Sequence, residues 1–291
     1  MPELPEVETT RRQIEPLLVG RRISQVVTTG KSYFFVTDPE RLREALEGQT
    51  VTSLVRRGKY IVAEISDTSR LIIHLGMTGQ LFGAGVSSVR LLSATARTSL
   101  SPEELGEFEP DAHTHLQIHF EDGGAPVYMR DVRKFGKLIW LAPGEMHERL
   151  EKLGVDALEL TGELLFAATR KRKTAIKTLL LDQSVAAGTG NIYADEALFL
   201  GGVRPGRRAA RVTRKECEAI VAGLHRVLRR SLETGGSSIS DYVAPDGADG
   251  GYQDERRVYA RAGAPCDSCA EIIKKTVIGQ RGTHYCPTCQ R

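Results

Sequence analysis

The sequence has little cysteine, little aromatic content and no long apolar run. Five cysteines in 291 residues are too few for a disulfide framework, which excludes the small disulfide-stapled secreted class. Aromatic residues make up 6% of the chain, with a single tryptophan. No stretch reaches the roughly 18 apolar residues of a membrane span, and no secretory signal opens the chain. A cytoplasmic protein with no membrane partner is therefore expected. A large excess of one charge is lacking too, because 40 basic against 37 acidic side chains leave only +3. Internal repeats and low-complexity tracts are absent.

What is present is ordinary globular material. Hydrophobic residues at 41% and charged residues at 26% argue against disorder, and the length allows one large or two ordinary domains. The charge is unevenly spread. Residues 1–150 carry 18 basic and 20 acidic side chains, residues 151–291 carry 22 and 17, and the last 36 carry 7 and 2. A near-neutral body with a basic C-terminal end points to nucleic acid, or else to a solvated charged surface.

Four of the cysteines are grouped. Cys266, Cys269, Cys286 and Cys289 form C-x2-C-x16-C-x2-C, the spacing of a four-thiolate zinc site closed by a β-hairpin. Two local disulfides or a redox pair are the alternatives. A hairpin this short lacks a core and needs a staple, and four thiolates leave no position open for a catalytic water. One structural Zn2+ is expected. Between the pairs lie Lys274, Lys275 and Arg281, which suit a phosphate backbone. Arg281 falls at the expected hairpin tip, where it is otherwise an ordinary exposed arginine. Cys217 lies in a helical pattern and reads as a packing residue.

Along the chain, residues 2–16 read as a helix with proline and acids in its first turn. Residues 22–37, 51–57, 60–65, 70–75, 115–120, 126–130 and 138–141 read as strands, with a short helix capped by Asp38-Pro39. Residues 83–110 lack periodicity and read as a long loop. Beyond residue 143, segments 145–153, 161–169, 174–182, 191–200 and 214–234 show helical apolar faces. The expected class is α+β and multidomain. It has an N-terminal helix and β-sandwich over 1–142, a helix–two-turn–helix domain over 143–235, a loop and linker over 236–255, and a four-cysteine zinc hairpin over 256–291. In the helical part, the glycine turn Gly188-Thr-Gly190 opens a helix with Asn191 as its N-cap. Its free N–H groups can hold an anion, and Arg170–Lys177 upstream places five positive charges in eight residues.

Several separate motifs then coincide: Pro2-Glu-Leu-Pro-Glu-Val-Glu-Thr9, Arg57-Gly-Lys59-Tyr60, His74-Leu-Gly-Met77-Thr-Gly79, Arg133-Lys-Phe135-Gly136, Gly190-Asn191-Ile-Tyr-Ala-Asp-Glu196 and the cysteine module with Gln280-Arg281. In order and spacing the chain resembles the bacterial formamidopyrimidine-DNA glycosylases over nearly its whole length. The resemblance implies an enzyme that removes oxidised purines (8-oxoguanine and formamidopyrimidines) from duplex DNA held between two domains, then nicks the abasic strand. It implies a monomer with no nucleotide cofactor, associated with the nucleoid through DNA. By motif match, Pro2, freed of Met1, is the nucleophile and Glu3 the proton donor, while Lys59 serves β-elimination and Arg281 δ-elimination. His113, Arg133, Lys173 and Asn191 hold the DNA backbone. Met77, Arg133 and Phe135 fill the gap left by the flipped base, with Arg133 and Phe135 read as pointing to the same side of an extended segment, while Lys177 lies near the lesion and the 236–247 loop meets the base. Taken alone, Pro2-Glu3 is a plain helix start, Met77 a core residue and Lys59 a solvated lysine. Ala112 and Lys134 depart from the family pattern, which usually has lysine and arginine there, and Arg→Lys loses bidentate geometry. Two other readings remain: an enzyme similar to endonuclease VIII acting on oxidised pyrimidines, and a non-catalytic zinc protein that binds damaged DNA.

Overall fold

Helix α1 (Leu4–Leu18) begins where proline is tolerated, with Pro5 in its first turn and Glu3 as N-cap. The computed structural model describes residues 2–91, 106–170, 172–238 and 242–291. Met1 and residues 92–105, half of the expected 83–110 loop, therefore lie outside the described residues, as do residues 239–241 of the loop expected to meet the base. Residues 1–147 and 234–251 form one compact unit, and residues 148–233 and 252–291 form a second.

In the first unit, two four-stranded antiparallel sheets share one core. The strands are β1 (Ile23–Thr28), β2 (Val51–Arg57), β3 (Tyr60–Ile65), β4 (Arg70–His74), β5 (Gly79–Gly83), β6 (Thr114–Phe120), β7 (Val127–Asp131) and β8 (Lys137–Leu141). Their orders are β1-β6-β7-β5 and β2-β3-β4-β8. Inward residues of both sheets, such as Val26, Leu81 and Met129 from one and Leu54, Ile61 and Ile73 from the other, meet in a cluster with Ile14 of α1. Leu42 and Leu46 of α2 (Pro39–Leu46) join it, and Asp38 caps α2 through the Glu40 N–H as expected.

Three differences from the expected elements have physical causes. The strand expected over 22–37 stops at Thr28, because Phe34 leaves the sheet and plugs the core edge-on to Phe35 and 4.9 Å from the His115 ring. The apolar content was real, but it serves a buried loop. Strand β5 was not expected, since two glycines and Gln80 hide its propensity; pairing with β7 supplies it. Arg133 and Phe135 lie in a turn after β7, with Lys134 at φ 57°, rather than in an extended segment.

The second unit holds α3 (Glu148–Glu151), α4 (Gly162–Thr169), α5 (Ile176–Leu181), α6 (Asn191–Leu200) and α7 (Arg214–Glu233). Short parallel strands β9 (Val155–Asp156) and β10 (Ala186–Ala187) pair between them. Helices α3 and α5 are shorter than expected. Cys217 is fully buried in α7, and burial pushes its thiol up to about 11, so it packs rather than reacts. Strands β11 (Lys274–Ile278) and β12 (Arg281–Tyr285) make the terminal hairpin. Among the described residues no helix is long and apolar enough to cross a membrane.

One carboxylate ties α1 to the sheet. Glu8 faces Arg11 at 3.1 Å, Arg12 at 2.7 Å and Arg56 of β2 at 3.2 Å. Burial opposes the charge, but the arginines outweigh it and hold the carboxyl below its ordinary value. A depressed folded value means that the stabilisation exists above the unfolded pKa and is lost as pH falls through the folded one. Glu8→Gln is expected to cost about 1–2 kcal/mol at pH 7. The gap to the parent should close on acidification below pH ~4 in urea titrations. A gap that does not change with pH would refute the charge-based account.

Candidate active site

The first turn of α1 is held by its own sequence. Pro2 and Glu3 are buried. Glu6, only 1% exposed, accepts the Glu3 N–H at 2.8 Å, the reciprocal half of a capping box. Its other oxygen accepts the Ser237 N–H at 2.9 Å. One carboxylate thus fixes both the start of the helix and the start of the 236–247 loop. Gly236 (φ 92°) allows the approach, since a Cβ there would sit 3.1 Å from Glu6.

Lys59 occupies the two-residue turn between β2 and β3, with Gly58 at φ 57° and Arg57 opposite Tyr60. It is 8% exposed, so it is not the solvated strand lysine of the alternative reading. Arg56 bonds both Glu8 and the Gly58 carbonyl, at 3.2 and 3.1 Å. The same α1 that carries Pro2 and Glu3 therefore also anchors the Lys59 turn.

Met77 and the Arg133–Phe135 pair stand on two interlocked turns. Gly76 (φ 65°) lies so close to the second turn that a Cβ would fall 2.3 Å from the Gly136 nitrogen. Buried Asp131 organises both turns. One oxygen accepts the Thr78 hydroxyl and the Arg133 N–H, and the other accepts the Gly136 N–H at 2.7 Å. Met77 (37% exposed) and Phe135 (43% exposed) project outward, and the Arg133 guanidinium lies 4.6 Å from the Phe135 ring centroid. His113 sits at the start of β6, where its N–H bonds Asp111. His115 is fully buried between the Thr29 hydroxyl (2.9 Å) and the Asp131 carbonyl (3.0 Å). Burial lowers its pKa, and the carbonyl requires a proton on Nε2.

In the second unit Lys173 is exposed ahead of α5. Gly190, not Asn191, is the N-cap of α6. Asn191 is the first helical residue, and its amide donates to the Gly282 carbonyl of the hairpin at 3.0 Å. Arg281 opens β12 directly after the two-residue tip Gly279-Gln280, whose φ values of 55° and 62° define a tight primed turn.

The four cysteines converge as the spacing predicts. Their sulfurs all lie within 4.8 Å of one another, with Sγ–Sγ distances of 3.4 Å for Cys269–Cys286 and 3.9 Å for Cys266–Cys289. All are free thiols, which excludes the disulfide readings. A tetrahedral ion with sulfur ligands at about 2.3 Å spaces them roughly 3.8 Å apart, so the donor set fits such an ion. Burial opposes charge on Cys286, but the Cys289 and Thr288 N–H groups bring it down to about 7. Cys289 is pushed up by burial and its sulfur neighbours. Four thiolates this close need a cation.

The motifs did not reveal the buried acids. Besides Glu6 and Asp131, Glu196 accepts the N–H groups of Arg257, Val258 and Tyr259 at 2.8–2.9 Å, while burial raises its pKa. Glu6 could have been found from its capping-box spacing to Glu3, and Asp195 from its place one turn beyond Asn191. Asp131 carries no such local signal.

A β-sandwich with an N-terminal helix, a helix–two-turn–helix unit and a four-thiolate hairpin together define a class. Family models agree segment by segment: the formamidopyrimidine-DNA glycosylase N-terminal domain over residues 1–138, its H2TH domain over 153–243, and a zinc finger found in FPG and IleRS over 263–291. The chain belongs to the formamidopyrimidine-DNA glycosylase family. It is 41% identical to the formamidopyrimidine-DNA glycosylase of Neisseria meningitidis and 40% identical to that of Thioalkalivibrio sulfidiphilus, over the full length of both partners in each case. Among solved structures, the MutM (FPG) protein of Thermus thermophilus is 36% identical with a TM-score of 0.81, covering 99% of this chain and 98% of that one. A Lactococcus lactis FPG variant, in complex with Fapy-dG containing DNA, is 33% identical with a TM-score of 0.85 over all of both chains.

Metal analysis of purified protein should find one divalent ion per chain, lost in Cys286→Ala. A folded parent chain that carries none would refute the four-thiolate site.

Proposed function

We propose that the protein excises oxidised purines from duplex DNA through an iminium ion on Pro2 and then cuts the abasic strand by β,δ-elimination. The observation that carries this reading is the fixed first turn of α1, with buried Pro2 and Glu3 beside a loop pinned by Glu6. In support, solved relatives include MutM with DNA containing carbocyclic 8-oxo-G and Lactococcus lactis Fpg with abasic-site DNA.

The chemistry follows from the groups present. With Met1 removed, the Pro2 nitrogen is the chain's α-amine. A generic α-amine near pKa 8 has about 10²-fold more free base at neutral pH than a lysine near 10.4, and a helix N-terminus further favours the neutral form. Its lone pair attacks C1′, the C1′–N9 bond breaks, and the base leaves with the proton that the nitrogen gives up. Glu3 gives a proton to the sugar ring oxygen as the ring opens to the iminium ion of the secondary amine. Loss of a C2′ proton expels the 3′-phosphate, with Lys59 serving that step, and a second elimination with Arg281 expels the 5′-phosphate.

Exposed Met77, Arg133 and Phe135 suit the gap left by a flipped base, for which an apolar and aromatic wedge substitutes stacking. His113, Arg133, Lys173 and Asn191 hold backbone phosphates. Lys177 is not in this set, because its ammonium is enclosed. The sulfur cluster holds zinc as a structural ion. Residues 1–142, 143–235 and 256–291 serve as catalytic, DNA-binding and zinc modules.

Borohydride trapping on matched duplexes tests the reading. The parent should form a covalent adduct on 8-oxoguanine DNA, and Glu3→Gln, which removes the proposed proton donor and keeps the α-amine, should reduce it by at least about 10²-fold. A stronger adduct on an oxidised-pyrimidine duplex would overturn the purine assignment. Tight binding without an adduct on either duplex would overturn catalysis and leave a damage-binding protein.

A further inference from the structure

The pairing of Lys177 with Asp195 offers a role that the excision chemistry does not use. Both side chains are completely buried, and Lys177 Nζ lies 2.7 Å from Asp195 Oδ1. The ammonium also donates to the Gly282 carbonyl at 2.9 Å and the Thr283 hydroxyl at 2.8 Å. The other Asp195 oxygen accepts the His284 N–H at 2.8 Å. Asn191, one turn earlier on the same face of α6, donates to the same Gly282 carbonyl at 3.0 Å. Three consecutive residues of β12 are thus gripped from α5 and α6, and they are the three that follow Arg281.

An ion pair with no exposure is an expensive way to hold a hairpin, since apolar side chains of similar volume stabilise as well or better. What the pair adds is direction. An ammonium with three acceptors and a carboxylate bridging to a backbone N–H fix the hairpin's register along its own length, which apolar packing does not. The metal cluster staples the far end of β12, at Cys286 and Cys289, and leaves the tip end to another device.

We infer that Lys177 and Asp195 are positioning residues for Arg281, setting where its guanidinium stands during the second elimination. This rests on the proposed role of Arg281. It also gives Lys177 an internal function in place of contact with DNA.

The test compares the parent, Arg281→Ala, Asp195→Asn and the double variant Lys177→Met/Asp195→Leu on an abasic duplex and on an 8-oxoguanine duplex. The readouts are the ratio of δ- to β-elimination product, the rate of base excision and bound metal. Asp195→Asn leaves a buried ammonium without its counter-charge and can fail to fold. The apolar double variant removes both charges and keeps the volume. The δ:β ratio should fall about tenfold or more in Arg281→Ala and in every Lys177 or Asp195 variant that folds, and those Lys177 and Asp195 variants should keep base excision within about twofold of the parent and one metal ion. A metal-loaded double variant with the parent's δ:β ratio, beside an Arg281→Ala that loses it, would overturn the positioning role alone. An Arg281→Ala with the parent's ratio would overturn the role of Arg281, and the positioning role with it.

Discussion

The first unit depends on the carboxylate of Glu6. The nucleophile we propose stands at the end of the chain, where segments fray unless they are tied down. Here the tie is one buried acid that accepts the Glu3 N–H on one side and the Ser237 N–H on the other. Burial of a lone carboxylate is costly, but one that accepts charge-assisted bonds from backbone N–H groups is stabilised where it stands. The first turn of α1 and the loop that follows α7 are therefore parts of one structure within the unit, although they are more than two hundred residues apart in sequence.

The same device recurs. Asp131 locks the two turns that present Met77, Arg133 and Phe135. Glu196 gathers three successive N–H groups ahead of the cysteine module, and Asp195 holds the strand after Arg281. For Glu6, Asp131 and Glu196 a strand end or helix supplies the acid and an irregular segment supplies the backbone donors, whereas Asp195 takes its donor from strand β12. Loops that carry function are left free of regular secondary structure, yet they are held in place. Glu8 extends the pattern to side chains, joining α1 to the turn that bears Lys59 through Arg56.

Much of this was legible in the sequence, unevenly. The cysteine spacing gave the metal site, because two thiols three apart have few other uses in a short basic hairpin. Alternation gave six of the eight sandwich strands closely, and period-3.6 faces gave α6 and α7. Strand β5 was missed because its glycines carry no β-propensity and only pairing makes it a strand. Phe34 misled for the opposite reason, since a buried loop has the composition of a strand. Motif matching named the buried Pro2, Glu3 and Lys59 as well as the outward Met77, Arg133 and Phe135. It passed over Glu6, Asp131 and Asp195, whose partners are backbone N–H groups brought close by folding. It also placed Lys177 near the lesion by likeness to a family lysine, and nothing in a linear sequence shows that Asp195 encloses it.

The central claim is that the covalent bond to DNA is made by the nitrogen of residue 2. The most direct test is to reduce the enzyme–DNA adduct with borohydride, digest both partners and locate the modified residue by mass spectrometry. The account predicts a sugar remnant on the Pro2 nitrogen, in a peptide that no longer carries Met1. A remnant on Lys59 or any other lysine, with Pro2 unmodified, would contradict it.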